Sequence, residues 1–289
     1  MSHSQSGTQI FSAQGSRDST NVADLLWARL RREAEEAYRT APQLASLFLE
    51  SILNQPGFEA ALFHRVGARL RNATVSLPLI VDGFHRAVAA DPAIATAMRA
   101  DIAAVHDRDP ACARFLEPFL YFKGFHAIQA HRLSHWLWTT GERDFALYLQ
   151  SRASEVFQTD IHPAAHFGKG IFLDHATGLV VGETASVGDD VSLLHAVTLG
   201  GSGKIAGDRH PKIASGVMIG AGAKILGNIT VGENARVAAG SVVLRSVPPH
   251  CTVAGVPARV MRTDTPEHPA QAMEQVPSDN ALEAFDPSI

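Results

Sequence analysis

Residues 213–243 read IASGVM IGAGAK ILGNIT VGENAR VAAGSV V, and this stretch decides the architecture of the second half of the chain. An aliphatic residue returns at every sixth position, at Ile213, Ile219, Ile225, Val231, Val237 and Val243, and Gly or Ala often follows it. A fixed short period is the mark of a solenoid, in which each unit buries its apolar residue only by stacking on the next. Six residues suit one short strand plus a turn, and three such units make one coil of a parallel β-helix. The aliphatic side chain then points into the prism, and small residues serve the corners, where the backbone turns sharply. Helical heptads need a 3.5-residue spacing, which these positions do not show.

Working upstream, Val181, Val187, Leu193 and Leu199 form a second register, and Ile161, Phe167, Leu173 and Leu179 a third, offset from the second by two residues. Between Leu199 and Ile213 the period is broken by GGSGKIAGDRHPK, residues 200–212. This Gly-rich, polar segment reads as a loop pushed out of a rigid scaffold, a common seat of function. A tolerated insertion is the alternative. Before Thr159 the pattern is helical. Val22, Leu26 and Leu30 recur every four residues among charged positions. Asp91-Pro92 and Asp109-Pro110 read as helix starts, with Asp as N-cap and Pro at the first helical position. Seven or eight helices are expected over residues 21–158, the last two running from Tyr121 to Thr139 and from Glu142 to Gln158, with Trp136, Leu137, Phe145 and Leu149 on their apolar faces.

The fold class is therefore α+β: a helical domain over 21–158, then a parallel β-helix over 159–262 with the loop 200–212 extruded from it. Residues 1–20 are rich in Ser, Gln and Gly, and read as a disordered tail. They lack the apolar core of a secretory signal, and Arg17 alone is little support for an organellar transit peptide. Residues 263–289 hold six acidic residues and no Lys or Arg, the composition of a flexible acidic tail. The chain of 289 residues is 46% hydrophobic, enough for a substantial core and about two domains. A net charge of −4 gives no basic field to hold nucleic acid. The apolar runs fall short of the ~18 residues of a membrane span. Cys112 and Cys251 are far apart, so no disulfide framework is expected, and a reducing, cytoplasmic setting is the default.

Histidine is abundant at 14 residues, and five lie near or within the repeats: His162, His166, His175, His195 and His210. Their spacings give no clean three-ligand zinc pattern, so no metal is expected. Asp174-His175 is more telling, because it breaks a run that otherwise keeps aliphatic residues. Neighbours on a strand face opposite ways, so the two share one pocket only if a corner lies between them. An imidazole that titrates near neutral pH is the natural general base for a hydroxyl nucleophile. Asp160 is placed to orient that imidazole, or else to cap the turn between the domains. Arg209-His210, in the extruded loop, offers a guanidinium suited to a small carboxylate, or else a solvated surface charge. Asp109 reads as an N-cap, with a role toward an ammonium group not visible without the fold.

Several segments then match a known family in order: Arg108-Asp109-Pro110-Ala111, Tyr121-Phe122-Lys123-Gly124-Phe125-His126-Ala127, Asp160-Ile161-His162-Pro163, Asp174-His175-Ala176-Thr177-Gly178, Val180-Val181-Gly182-Glu183-Thr184, Val197-Thr198-Leu199-Gly200-Gly201, Gly207-Asp208-Arg209-His210-Pro211-Lys212 and Gly255-Val256-Pro257-Ala258. From about Ala23 to Arg262 the chain resembles the bacterial serine acetyltransferases. The resemblance implies that the β-helix is left-handed, against the usual right hand of parallel crossovers. It implies acetyl transfer from acetyl-CoA to L-serine on the route to cysteine, with no tightly bound cofactor and no metal. His175 would be the general base and Asp160 its partner. Asp109 and Asp174 would hold the serine ammonium, Arg209 with His210 its carboxylate, and Glu183 would support that cluster. Gly200, Gly201, Ala221, Gly222, Lys224 and Ala239 would line the groove for the pantetheine arm. His195 receives no catalytic role, because relatives carry other polar residues there. The resemblance further implies L-cysteine as inhibitor in the serine site, a trimer with its sites between subunits, pairing of two trimers through the helical domains, and docking of O-acetylserine sulfhydrylase on the C-terminal Ile289. The competing readings are a hexapeptide acetyltransferase for a sugar or amine, a zinc hydratase of the same repeat class, and a regulatory scaffold that only binds the sulfhydrylase.

Overall fold

The structure, a computed structural model, describes residues 15–203, 206–263 and 268–274, with the backbone alone for 15–24. The first fourteen residues of the expected tail, and Ile289, lie outside the described residues. The helical part comprises α1 (Gly15–Thr40), α2 (Ala45–Phe48), α3 (Phe58–Leu70), α4 (Leu77–Ala90), α5 (Ala93–Arg108), α6 (Leu116–Leu120), α7 (Lys123–Thr139) and α8 (Arg143–Phe157), with short 3₁₀ and π turns on either side of α2. The last two helices agree with the sequence reading to within two residues. α1 differs, because it takes in Gly15–Thr20 from the segment expected to lack structure. Extending a helix already nucleated by its packed turns costs far less than starting one.

The two Asp-Pro signals part company. Asp91 Oδ1 accepts the Ala93 N–H at 3.0 Å and a helix does start there, one residue later than expected, with Pro92 rather than Asp91 as the N-cap. Asp109 Oδ1 accepts the Ala111 N–H at 2.9 Å, but a turn follows and no helix forms until Leu116. The reason lies on either side. Arg108 is drawn onto the solenoid, donating to Ser192 Oγ at 3.2 Å and Asp190 Oδ1 at 3.1 Å. Glu117 reaches back to the Arg114 N–H at 2.6 Å, which sets the start of α6.

The solenoid strands follow in chain order: β1 (Thr159–Ile161), β2 (His166–Phe167), β3 (Phe172–Leu173), β4 (Leu179–Val181), β5 (Ser186–Val187), β6 (Ser192–Leu193), β7 (Thr198–Gly200), β8 (Lys212–Ile213), β9 (Met218–Ile219) and β10 (Lys224–Leu226). β11 (Thr230–Val231), β12 (Arg236–Val237), β13 (Val242–Val243), β14 (Thr252–Gly255) and β15 (Ala258–Arg262) complete it. They form three sheets in the orders β1-β4-β7-β10-β13, β11-β8-β5-β2 and β15-β14-β12-β9-β6-β3. All neighbours are parallel except β14 and β15, whose antiparallel hairpin ends the coil before residue 262. The sixth-position residues of the three sequence registers are buried along the prism axis, as the period requires.

The register shows where the coils depart from 18 residues. Val181 stacks on Leu199, and Ile225 on Val243, each one regular coil apart. Ile161 stacks on Val181 across a coil two residues longer. Leu199 stacks on Ile225 across a coil eight residues longer, which contains the extruded loop. In the first case Leu173 pairs with Leu193 and Val180 with Thr198, so the additional pair lies between β3 and β4. Thr177 O accepts the Ala196 N–H at 2.7 Å, just as His195 O accepts the Gly222 N–H at 2.9 Å. This aligns Thr177 with His195 and leaves His175 and Ala176 as the two residues without a counterpart.

α7 joins the halves and is buried nearly all round. Its Arg132 donates to Asp101 of α5 through Nε at 2.8 Å and Nη2 at 2.9 Å, and also to Gly168 O of the solenoid at 2.7 Å. Asp101 in turn accepts the Ile171 N–H at 2.9 Å. At the start of α7, Gly124 lies against β3, where an added Cβ would stand 2.0 Å from Leu173 O. Backbone cannot yield as a flexible side chain can. Gly124→Ala is therefore expected to lower stability by about 1–3 kcal/mol or more, read as a drop in the thermal midpoint. An unchanged midpoint would mean the contact is looser than it looks.

Part of the acidic tail is also ordered. α9 (Pro269–Ala272) packs on the third sheet, with Ala270 O accepting from Ser192 Oγ at 2.8 Å. The guanidinium of Arg236 on β12, 2% exposed, donates to Glu274 Oε2 at 2.8 Å. Residues 268–274 thus depart from the expected flexible tail, because a buried guanidinium requires a partner carboxylate.

Candidate active site

The inserted residues make the site. His175 and Ala176 both adopt left-handed backbone, with φ of 52° and 57°. For residues with a Cβ this costs roughly 1–2 kcal/mol each, so neighbouring contacts must hold it. Ala176 N–H donates to Asp174 O at 2.5 Å, Leu179 N–H to Ala176 O at 3.1 Å and Gly178 N–H to Gln158 O at 2.8 Å. The turn is the corner that allows Asp174 and His175 to face one space.

That space is a cavity of about 580 Å³ between the helical domain and the third sheet. Asp109, Asp174, His175, Lys123, Tyr121 and Met273 are among its walls. The His175 side chain is 75% exposed and its Nε2 lies 3.8 Å from Asp174 Oδ1. Burial pushes the Asp174 carboxyl above its usual range. The charge of His175 pulls it back, and that of Asp109 pushes it further up. Two carboxylates facing each other in a half-buried pocket are relieved by a cation placed between them. His195 stands beside His175, with ring centroids 6.0 Å apart.

A second set occupies a different corner of the prism. Arg209 Nη2 donates to Glu183 Oε2 at 2.8 Å, and this bond holds the Glu183 carboxyl below its usual range. His210 is buried against Thr184, whose N–H donates to His210 Nδ1 at 3.1 Å. Burial first, and the Arg209 charge second, lower its pKa. Gly182 makes room for this ring, since a Cβ there would lie 2.0 Å from His210 Nε2. Asp160 faces outward on β1, where it accepts from Gln150 Nε2 at 2.7 Å rather than from His175. Its charge and that of Glu183 act on His162, whose pKa is lowered chiefly by burial. The chain thus brings Asp109, Asp174 and His175 together, and separately Asp160, Glu183, Arg209 and His210.

The six residues expected along the pantetheine arm divide in the same way. Ala221, Gly222 and Ala239 lie in the corner column below His195, where Gly240 N–H donates to Ala221 O at 2.8 Å. Gly200 ends β7, Gly201 opens the extruded loop, and Lys224 Nζ donates to Ala196 O at 2.6 Å and Thr198 Oγ1 at 3.0 Å. Sequence reading assigned no role to Arg108, Lys123, Tyr121 or Met273. The first three stand in the quoted motifs, whereas Met273 lies in a segment with no periodic signal. Among the described residues no group of three or more His, Cys, Asp or Glu is placed to hold a metal ion. No described helix is long and apolar enough to cross a membrane. Both cysteines are free and buried, and burial pushes the Cys112 thiol up to about 12.

A helical domain on a hexapeptide-repeat solenoid, with an imidazole and facing carboxylates at their junction, defines an acyltransferase of the hexapeptide-repeat class. Residues 26–130 match the family model for the serine acetyltransferase N-terminal region, and residues 210–245 match that for bacterial transferase hexapeptide, six repeats. The chain is 50% identical over 252 residues to the serine acetyltransferase of Salmonella typhimurium, covering 87% of this chain and 92% of that one. It is 58% identical to the Brucella abortus serine acetyltransferase solved in complex with coenzyme A, with a TM-score of 0.83 over 86% of this chain and 98% of that one. A serine acetyltransferase solved in complex with cysteine is 48% identical, with a TM-score of 0.85 over 87% and 98% of the two chains. The chain belongs to the serine acetyltransferase family, and its solenoid is the left-handed β-helix of that fold.

Proposed function

We propose that this protein transfers the acetyl group of acetyl-CoA to the hydroxyl of L-serine, giving O-acetyl-L-serine and CoA, with His175 as general base. The observation that carries the reading is the facing of Asp109 and Asp174 across one cavity from an exposed imidazole. The carboxylates bind the serine ammonium. His175 takes the hydroxyl proton as the oxygen attacks the thioester carbonyl, and the new C–O bond forms as the π electrons move to oxygen. Collapse of the tetrahedral intermediate re-forms the carbonyl and breaks the C–S bond. The imidazolium returns its proton to the departing thiolate, so no net proton or electron is needed. Asp160, which within this chain accepts from Gln150 and stands with Glu183 and Arg209, reaches that imidazole from a neighbouring chain as its positioning partner.

Arg209 and His210 bind the serine carboxylate, with Glu183 holding the guanidinium in place. Because they lie on a different corner from His175, the complete site is assembled between neighbouring chains of a trimer, and two trimers pair through the helical domains. Pantetheine runs along Gly200, Gly201, Ala221, Gly222, Lys224 and Ala239. L-cysteine has the ammonium and carboxylate of serine and inhibits by occupying the same cavity, in keeping with the relative solved with cysteine. Ile289 docks O-acetylserine sulfhydrylase, and the protein is cytoplasmic. A sugar acceptor has no carboxylate for Arg209, which disfavours the sugar reading.

Thiol release from acetyl-CoA tests this directly. Turnover is expected with L-serine and suppression with L-cysteine. Turnover with an amine or sugar but not with serine would overturn the substrate assignment. Arg209→Lys keeps the charge but loses the two-pronged grip, so KM for serine is expected to rise about tenfold, with KM for acetyl-CoA little changed. An equal rise in both constants would contradict this assignment.

A further inference from the structure

We infer that Lys123 is a positioning residue that holds the His175 corner in its left-handed backbone, an inference that rests on the role of His175 proposed above. Lys123 Nζ donates to Thr177 Oγ1 at 2.5 Å and to Gln158 Oε1 at 3.2 Å. Thr177 follows directly on the inserted pair, and Gln158 lies at the entry to the solenoid, itself left-handed with φ of 59°. Gln158 O already accepts the Gly178 N–H at 2.8 Å. The ammonium therefore ties the residue that closes the inserted pair to the entry of the solenoid, one coil earlier.

Two further observations single out this lysine. It occupies the first position of α7, whose first turn holds no acidic residue. A cation there opposes the helix dipole, so local propensity does not explain its presence. Positions that break a local rule without local compensation are expected to serve a site. In addition, no described carboxylate lies within ion-pair range of the ammonium, and its partners are both neutral oxygens. Next to it, Gly124 allows α7 to press on Leu173 O, one residue before Asp174. The start of α7 thus grips the corner on both sides, with Gly124 before the inserted pair and Lys123 after it. Lys123 also lines the cavity, but its bonds are directed to the corner.

The test compares the full-length wild type with Lys123→Met, Lys123→Arg, Thr177→Val and the double variant Lys123→Met/Thr177→Val in serine-dependent CoA release. Lys123→Met removes the donors at nearly constant length, and kcat is expected to fall about tenfold to a hundredfold, the scale of a small misplacement of a reacting group. KM for acetyl-CoA and the thermal midpoint are expected to stay near wild type. Thr177→Val, which leaves the lysine charge in place, is expected to lose a similar factor, and it carries the test alone if Lys123→Met does not fold. The double variant is expected to be no worse than the poorer single variant, the signature of one shared interaction. Lys123→Arg, which keeps the donors, is expected to recover part of the loss. Wild-type kcat in Lys123→Met or Thr177→Val, additive losses in the double variant, or no recovery in Lys123→Arg would each overturn the inference. If the wild type does not turn over serine, the functional reading falls with it; normal wild-type turnover with an unaffected Lys123→Met sinks this inference alone.

Discussion

His175→Ala lowers kcat for serine-dependent acetyl transfer by about a hundredfold to ten-thousandfold, the range for loss of a positioned general base. A serine hydroxyl is a weak nucleophile until its proton is removed, and no other imidazole of the pocket occupies the inserted corner. The change should leave the fold intact, because the side chain is 75% exposed. His175→Asn serves as the backbone control, since Asn tolerates left-handed φ better than Ala. Steady-state kinetics check both variants, with KM for acetyl-CoA expected near wild type. A kcat within a few-fold of wild type in both would remove His175 from the chemistry.

Arg132→Met lowers the stability of the protein by about 3–5 kcal/mol, the cost of leaving a buried charge without its partner. Asp101 is 0% exposed and accepts from Arg132, from Gln129 Nε2 at 3.0 Å and from the Ile171 N–H. Burial is the foremost influence on Asp101 and raises its pKa, and Arg132 is the foremost influence opposing that rise. Without Arg132 the folded carboxyl rises further above its unfolded value. A raised folded pKa means that stability is fully present below the unfolded pKa and is lost as pH rises through the folded one. The deficit of Arg132→Met against wild type is therefore smallest near pH 4 and grows toward neutrality, as urea melts over that range would show. A deficit that does not change with pH would mean the carboxyl stays charged in the variant.

The solenoid was legible because its period is a direct imprint of stacking: each sixth residue has one place to go. The two-residue offset between the registers ending at Leu179 and starting at Val181 was visible in the sequence, and the structure shows it to be the His175-Ala176 insertion. What the sequence hid was distance. Nothing local says that Asp109, 66 positions before His175, faces the same cavity, or that Arg209 stands on another corner. The Asp109-Pro110 signal misled because a side-chain bond to the N–H two residues on serves a turn as well as a helix start. α9 was missed because a single helical turn has no period to read, and its docking depends on a buried Arg236 whose burial is a property of the fold.

The inserted corner belongs to the first coil, the one pressed against α7. In a stacked array each coil is secured only by its neighbours, so opening begins at the free end and travels inward. Fraying of the β14–β15 hairpin must pass through every intervening coil before it disturbs His175. The protein thus carries the left-handed His175-Ala176 pair of its site at the end of the stack least exposed to breathing, and its exchangeable amides should grade from fast at the distal cap to slow beside the helices.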